Sequence, residues 1–171
     1  MIKLFGAVLI LSATAAFGLF GVFRLKNRVR SLGALNVSLE LMKSELCERL
    51  TPMPELLEML ERDAPSPANL LFGQARQKLS ELGNCSFAAI WKRAIRDTPE
   101  LLLTEQEAQV LGELGLSLGK YDVHEQLGAF TYTQRRMEEF YKKAAAEKEN
   151  DAKVHAFFGV AAGAVAVIIL I

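Results

Sequence analysis

Two uncharged apolar runs lie at the ends of the chain and leave nearly all of its charge between them. Residues 4–23 contain 20 positions without a charged side chain, and residues 154–171 contain 18. As α-helices these runs would reach about 30 Å and about 27 Å, close to the hydrocarbon thickness of a bilayer. The sequence therefore predicts a transmembrane helix in residues 1–23, a second in residues 154–171, and a domain of residues 24–153 between them.

Basic residues beside the two runs predict which side of the membrane holds the central domain. Four directly follow the first run: Arg24, Lys26, Arg28 and Arg30. Four precede the second run: Lys142, Lys143, Lys148 and Lys153. Because basic residues next to a span stay cytoplasmic, both flanks place the central domain in the cytoplasm. A cleaved signal peptide ending near Ala13-Thr14-Ala15 is the alternative for the first run, although the run continues past that site into the basic cluster.

The central domain is predicted to be all-α, an antiparallel bundle of about six helices. No long stretch alternates apolar and polar residues as a half-buried strand would. Helix breaks are expected at residues 51–54 and 65–67, at Gly83, before Pro99 and at Gly119. The short connections favour antiparallel neighbours. The predicted inward residues are Leu35, Leu39, Met42 and Leu46; Leu56, Leu57 and Leu60; Leu70, Leu71, Ala75 and Leu79; Phe87, Ile90, Trp91, Ala94 and Ile95; Val110, Leu111, Leu114 and Leu118; and Val123, Leu127, Phe130, Met137, Tyr141 and Ala144.

Three helix starts have recognisable capping chemistry. Ser86 is the expected N-cap of the fourth helix, and Thr104 with Glu107 forms a capping box at the start of the fifth. Asp122 with Glu125 repeats that pattern before the last helix. From there no helix breaker precedes the second apolar run, so one rod is expected from about Asp122 to the end of the chain.

Composition and motifs argue against an enzyme or a nucleic-acid-binding protein. The 20 basic and 20 acidic residues balance, so the chain has no net basic field. It contains no phosphate-binding glycine loop, no H-E-x-x-H and no C-x-x-C, so no catalytic residue, cofactor or metal site is predicted. Cys47 and Cys85 are either a disulfide in an oxidising compartment or two thiols in a reducing one, and the cytoplasmic placement favours thiols.

Charge alternates in sign from one predicted helix to the next. Residues 24–50 and 76–97 are mainly basic, whereas residues 55–63 and 100–125 are mainly acidic. Opposite charges at the edges of neighbouring helices suit antiparallel packing, although each exposed pair contributes under about 1 kcal/mol. The acidic fifth helix, with Glu105, Glu107 and Glu113, is the predicted surface for a basic partner.

Several segments together resemble the stage III sporulation protein AB family. They are KLFGAVLILSATAAFG at residues 3–18 followed by the basic cluster, PSPANLLF at 65–72, and FFGVAAGAVAVIILI at 157–171. Leu118-Gly119-x-x-Asp122-x-x-x-Gln126 matches as well, although Tyr121 stands where a small residue is expected. The resemblance covers essentially the whole chain, and the order and spacing of the segments carry it.

The resemblance implies a non-enzymatic platform in the mother-cell membrane around the forespore of a spore-forming bacterium. That family is also similar to the cytoplasmic helical domain of type II secretion and type IV pilus platform proteins. The implied partners are a secretion-type ATPase, the ring components of a mother-cell-to-forespore channel and the lipid bilayer, with a homo-oligomer also allowed. No nucleic acid and no small-molecule substrate is expected.

The turn between the last two helices has two interpretations. Gly119 allows a tight helix end and Asp122 can accept the first amides of the next helix, which is a purely structural role. Alternatively Leu118, Gly119, Asp122 and Gln126 form a docking site for a partner. For the whole chain, the rival to a sporulation platform is a membrane-tethered homo-oligomeric scaffold that uses the heptad-like stripe after Asp122.

Overall fold

The structure is a computed structural model that describes the backbone of residues 2–118 and 123–170 and the side chains of residues 23–118 and 124–150. Six α-helices form within these residues: α1 (Ile2–Cys47), α2 (Met53–Asp63), α3 (Ala68–Gln77), α4 (Phe87–Arg96), α5 (Glu105–Leu114) and α6 (Val123–Leu170). Two short 3-10 helices, Lys78–Glu81 and Pro99–Leu101, follow α3 and α4. The described residues contain no named strand, and the all-α prediction is confirmed.

Within the described residues, no helix is both long enough and apolar enough to cross a bilayer. The two predicted transmembrane segments, residues 1–23 and 154–171, fall outside the described side chains except for Phe23. The predicted cap at Asp122 and the predicted helix end at Gly119 also fall outside the described residues.

The chain divides into two units, Met1–Val29 with Lys143–Ile171, and Arg30–Lys142. In the first unit, the guanidinium of Arg28 pairs with the carboxylate of Glu147 at 3.4 Å. The second unit holds α2 to α5 together with parts of α1 and α6, and it contains the largest buried side chains, among them Trp91, Phe72 and Phe130.

Trp91 is the centre of the contact between α4 and α5. Its indole nitrogen donates a hydrogen bond to the backbone oxygen of Leu111 at 2.8 Å, and its ring is fully buried. The ring also lies so close to Gly115 that a β-carbon on this glycine would come within 2.7 Å of the indole Cδ1 atom. Because real β-carbons do not approach so closely, the position of the ring requires glycine at residue 115.

Within the second unit, α1 and α6 pack antiparallel in one continuous register. Asn36 donates to Glu138 at 3.3 Å, and Gln134 donates to Glu40. Further along, a β-carbon on Gly33 would lie 3.3 Å from Cε2 of the Tyr141 ring. In each of these three pairs the residue numbers add to 174. The two helices therefore keep one alignment over about two turns of each.

Ion pairs hold the ends of α2, α3 and α4 together, and one of them joins two segments whose charges were predicted to attract. Glu61 of α2 pairs with Arg76 of α3. Glu81 pairs with Arg93 of α4 at 2.7 Å, and Lys78 pairs with Asp97 at the end of α4 at 3.0 Å. All these groups are partly exposed, so each pair stabilises the packing by less than about 1 kcal/mol. Of these three pairs, Glu61–Arg76 joins an acidic segment to a basic one, whereas the other two lie within residues 76–97.

Three sequence predictions about helix ends and faces are wrong. α3 ends at Gln77, not near Leu82, because the chain tightens into the 3-10 helix before Gly83 adopts a φ of 108°. Its Leu70 is exposed, since the buried face of the helix consists of Ala68, Leu71, Phe72, Gly73 and Ala75. α5 ends at Leu114 and a turn occupies residues 115–118, although Leu118 is buried as predicted.

The inward stripe of α6 also differs from the prediction at its first turns. Phe130, Met137 and Ala144 are fully buried as expected, but Leu127 is largely exposed. The polar residues Gln126 and Thr133 take buried positions. Positions 126, 130, 133 and 137 alternate steps of four and three residues, which is the spacing of a seam against a neighbouring helix. Helix geometry, and not the hydrophobicity of the individual residue, selects Gln126 over Leu127.

Candidate partner-binding face

The outer side of α5 is a short acidic surface that its own capping chemistry positions. Thr104 precedes the helix and its hydroxyl accepts the Glu107 amide at 3.3 Å, while the Glu107 carboxylate accepts the Thr104 amide at 2.7 Å. This reciprocal pair is the predicted capping box. The capping box begins the helix at Glu105. Glu105 and Glu113, about two turns apart, then lie on the exposed side of the helix.

Three exposed side chains at successive steps of four residues form what we call the α5 face: Glu105, Gln109 and Glu113. The Gln109 amide nitrogen donates to Glu113 at 3.1 Å. Glu105 and Glu113 lie about 12 Å apart along the helix axis at 1.5 Å per residue. Beyond Glu113, Leu116 is 53% exposed in the turn after the helix. The face therefore offers two carboxylates, one amide and an apolar side chain beside its C-terminal end.

The predicted interface residues do not all share this face. Glu105 and Glu113 are exposed, whereas Glu107 is fully buried in the capping box. Leu118 and Gln126 are also buried, at 4% and 6% exposure. Gly119 and Asp122 lie outside the described residues, so the docking and capping interpretations of that turn both stay predictions. The acidic-surface prediction therefore concerns Glu105 and Glu113.

Leu116 is the residue of this region that the sequence analysis did not identify. The pattern of leucines predicts a helix that runs on to Gly119, and Leu116 is not among its predicted inward residues. Gly115 is the signal that could have located it, because a glycine inside a helical pattern commonly marks the end of the helix. Leu116 is exposed in the turn that begins there, and its amide donates to the Glu113 backbone oxygen at 3.0 Å.

The exposed side chains of the α5 face can interact with a partner through their charge. Exposed carboxylates such as Glu105 and Glu113 can pair with lysine or arginine side chains of a partner, and such pairs govern orientation and association rate more than affinity.

Both cysteines are free thiols. Burial raises the pKa of the Cys47 thiol, and Arg93 donates a hydrogen bond to the Cys85 sulfur at 3.0 Å. Among the described side chains, no group of three His, Cys, Asp or Glu residues is placed to hold a metal ion.

Comparison with known proteins gives one consistent result. The family model described as stage III sporulation protein AB matches residues 3–171. The stage III sporulation protein AB of Bacillus subtilis (strain 168) is 27% identical over 123 residues, which are 71% of this chain and 71% of that protein. A solved structure of a stage III sporulation protein AB superimposes with a TM-score of 0.65 at 20% identity, covering 72% of this chain and 98% of that one. The solved structure supports the helical fold, and the family match covers nearly every residue. The chain belongs to the stage III sporulation protein AB family.

Proposed function

We propose that this protein is a non-enzymatic platform in the mother-cell membrane around the forespore, where it couples a cytoplasmic secretion-type ATPase to a channel required for endospore formation. The observation that carries the proposal is the extent of the family match, residues 3–171, which includes both uncharged runs as well as the helical residues between them. The uncharged runs are membrane anchors in this proposal, and their basic flanks keep the domain of residues 24–153 in the cytoplasm.

The packing of α6 favours this proposal over a homo-oligomeric coiled-coil tether. A tether would need the heptad-like stripe of α6 to face another copy of the chain. Within the unit Arg30–Lys142, however, Phe130 and Met137 of that stripe are fully buried inside a single chain. The stripe is therefore already used to close the helical unit.

The α5 face is the proposed contact for the ATPase or another basic partner of the assembly. It is tested by complementing a deletion strain of the spore-forming host with the variant Glu105→Lys, Glu113→Lys. We expect the deletion strain to grow normally and to stall its forespores after engulfment. The wild-type gene should restore heat-resistant spores. The variant should accumulate to normal levels but should not restore heat-resistant spores. The matched control is Glu55→Lys, Glu58→Lys, which reverses two exposed carboxylates of α2. Equal sporulation with both variants contradicts the α5 face as the contact.

The proposed topology has a separate test in vegetative cells. A cysteine placed at the exposed Ser80, in a chain whose own two cysteines are replaced by serine, should react with a membrane-impermeant maleimide only after lysis. A cysteine in a tag after Ile171 should react in intact cells. Labelling of the Ser80→Cys variant in intact cells contradicts a cytoplasmic central domain.

A further inference from the structure

Exposed cations lie beside both uncharged runs in the first unit of the chain. The described side chains of this unit, residues 23–29 and 143–150, include five basic and two acidic groups. Four of the basic residues are exposed, and we call them the flanking cations: Arg24, Lys26, Lys143 and Lys148. In the part of the chain that the structure describes, none of the four makes an ion pair.

The carboxylates near these cations are few and already have partners. On α1 the first acidic residue is Glu40, about 24 Å along the helix from Arg24. On α6 the carboxylate of Glu147 pairs with Arg28 at 3.4 Å, and Glu149 also has a partner of its own. The flanking cations therefore lack a counter-ion from the described part of their own chain.

Farther from the second uncharged run, α6 pairs its cations. Arg135 and Arg136 both pair with Glu139, and Lys142 pairs with Glu138. Nearer to the run, the described lysines of α6 are exposed and make no such pair. The change from paired to unpaired cations therefore coincides with the approach to the run.

Helix geometry places three of the flanking cations at the depth of lipid headgroups. α1 and α6 are continuous at the inner end of each run. With the runs in the hydrocarbon, Arg24 and Lys26 lie about 1.5 and 4.5 Å beyond its edge, and Lys148 lies about 9 Å beyond it. The headgroup layer is about 5 to 8 Å thick on each side, and the long side chains extend their charge toward it. Lys143, about 16 Å from the edge, acts only through its field, which reaches about 10 Å at 0.1 M salt.

From this arrangement we infer that the flanking cations bind the phosphates of anionic phospholipids. Such a phosphate fits because it supplies negative charge at the depth where the protein leaves its cations unpaired. Arg24 can bind a phosphate through two parallel N–H bonds, whereas the lysines act as point charges. The inference rests on the proposed membrane anchoring, since the cations meet headgroups only when the uncharged runs lie in a bilayer.

The experiment reconstitutes the purified full-length chain into phosphatidylcholine vesicles that contain a trace of one spin-labelled lipid. Electron paramagnetic resonance separates lipid that is slowed at the protein surface from free lipid. At about 0.1 M NaCl we expect labelled phosphatidylglycerol to associate about two- to fivefold more strongly than labelled phosphatidylcholine, since one cation near an anionic surface contributes up to about fivefold. At about 1 M NaCl, where the screening length is about 3 Å, this preference should fall by at least about half.

The same spectra distinguish this inference from the proposed function. Equal association of the two labelled lipids, with slowed lipid present, overturns the headgroup contact and leaves the membrane anchoring intact. An acidic protein segment is then the better partner for these cations. Absence of slowed lipid with either label shows that the chain does not lie in the bilayer, and both proposals then fail.

A matched pair of variants tests whether the contact is local. Arg24→Gln, Lys26→Gln should lower the preference for phosphatidylglycerol by about half, because it removes two cations at headgroup depth. Lys92→Gln, Arg96→Gln also removes one arginine and one lysine, both exposed on α4, and should leave the preference unchanged. If both variants lower it equally, the lipid responds to the overall charge of the protein, which overturns the inference.

Two lysines of α6 test the dependence on distance. Lys148→Gln and Lys143→Gln each remove one exposed charge from the same helix, at about 9 and about 16 Å from the uncharged run. Lys148→Gln should lower the preference more, because only Lys148 reaches the headgroup layer. An equal or larger effect of Lys143→Gln overturns the contact of α6 with the headgroups.

Discussion

The indole ring of Trp91 packs against the bare α-carbon of Gly115, and a β-carbon at that position would lie 2.7 Å from Cδ1 and 3.1 Å from Cβ of the tryptophan. Gly115 itself has φ −57° and ψ −23°, a conformation that alanine adopts without strain. Glycine is therefore required at residue 115 because Trp91 of α4 approaches it closely, and not because of its backbone conformation. This contact sets the distance between α4 and the C-terminal end of α5.

Gly115→Ala should lower the free energy of unfolding by about 1 to 3 kcal/mol, the usual cost of overpacking a well-packed core. Trp91 is fully buried and hydrogen-bonded to Leu111, so its ring cannot move away without losing that bond. Chemical denaturation followed by tryptophan fluorescence measures the change, and Trp91 is the single tryptophan of the chain. Wild-type stability of the variant would show that the ring has room to shift.

Gly128→Ala should have the opposite sign. Gly128 is exposed within α6, and a β-carbon there would meet nothing within 4 Å. Alanine is the better helix former by about 0.5 to 1 kcal/mol, so the variant should be more stable by that amount in the same denaturation experiment. A loss of stability would mean that this surface of α6 is covered in the folded protein.

Thr104→Ala should destabilise the chain by about 1 kcal/mol, because it removes the side-chain acceptor of the Glu107 amide. The Glu107 carboxylate can still accept the amide of residue 104, so only half of the capping box is lost. Thr131→Ala is the matched control: Thr131 is exposed and its hydroxyl donates only to the Leu127 carbonyl within α6. It should change stability by less than about 0.5 kcal/mol. An equal effect of the two substitutions would contradict the capping role.

Cys47 should ionise at a higher pH in the folded chain than in the unfolded chain. Burial is the largest cause of its raised pKa, Lys43 lowers it, and Glu48 adds to the increase. Burial disfavours the thiolate form, so the Cys47 thiol of the folded chain keeps its proton to a higher pH than that of the unfolded chain. The free energy of unfolding should therefore fall as the pH rises above the pKa of the unfolded thiol. Iodoacetamide rates on a Cys85→Ser variant measure this. The pH of the half-maximal rate should be lower in urea than in buffer, and an unchanged midpoint would contradict the prediction.

Local chemistry is what the sequence predicts well in this chain. Ser86 accepts the Ala89 amide at 3.3 Å as an N-cap should, and the Thr104–Glu107 box forms in full. These interactions depend on residues three positions apart, so their pattern is visible in the sequence. The prolines near the start of α2 and before α3 act in the same local way.

Interactions between distant residues could not be predicted from these signals. The requirement for glycine at 115 depends on Trp91, which lies 24 positions earlier, and only the packed structure brings the two together. The burial of Gln126 in place of Leu127 depends on which side of α6 faces the rest of the unit, and no local pattern encodes that. For the candidate site, the sequence identified the acidic helix and its exposed carboxylates Glu105 and Glu113, but not Leu116, whose exposure depends on α5 ending at Leu114.

The register between α1 and α6 has a consequence for how the chain is made. Gln134 and Glu40 are separated by 94 positions, so a ribosome that adds about 5 to 20 residues per second needs roughly 5 to 20 seconds to deliver the partner of a helix that it has already completed. During that interval the α1 residues Asn36 and Glu40 have no partner on α6. The helical unit Arg30–Lys142 can therefore close only after nearly all of its residues have been made.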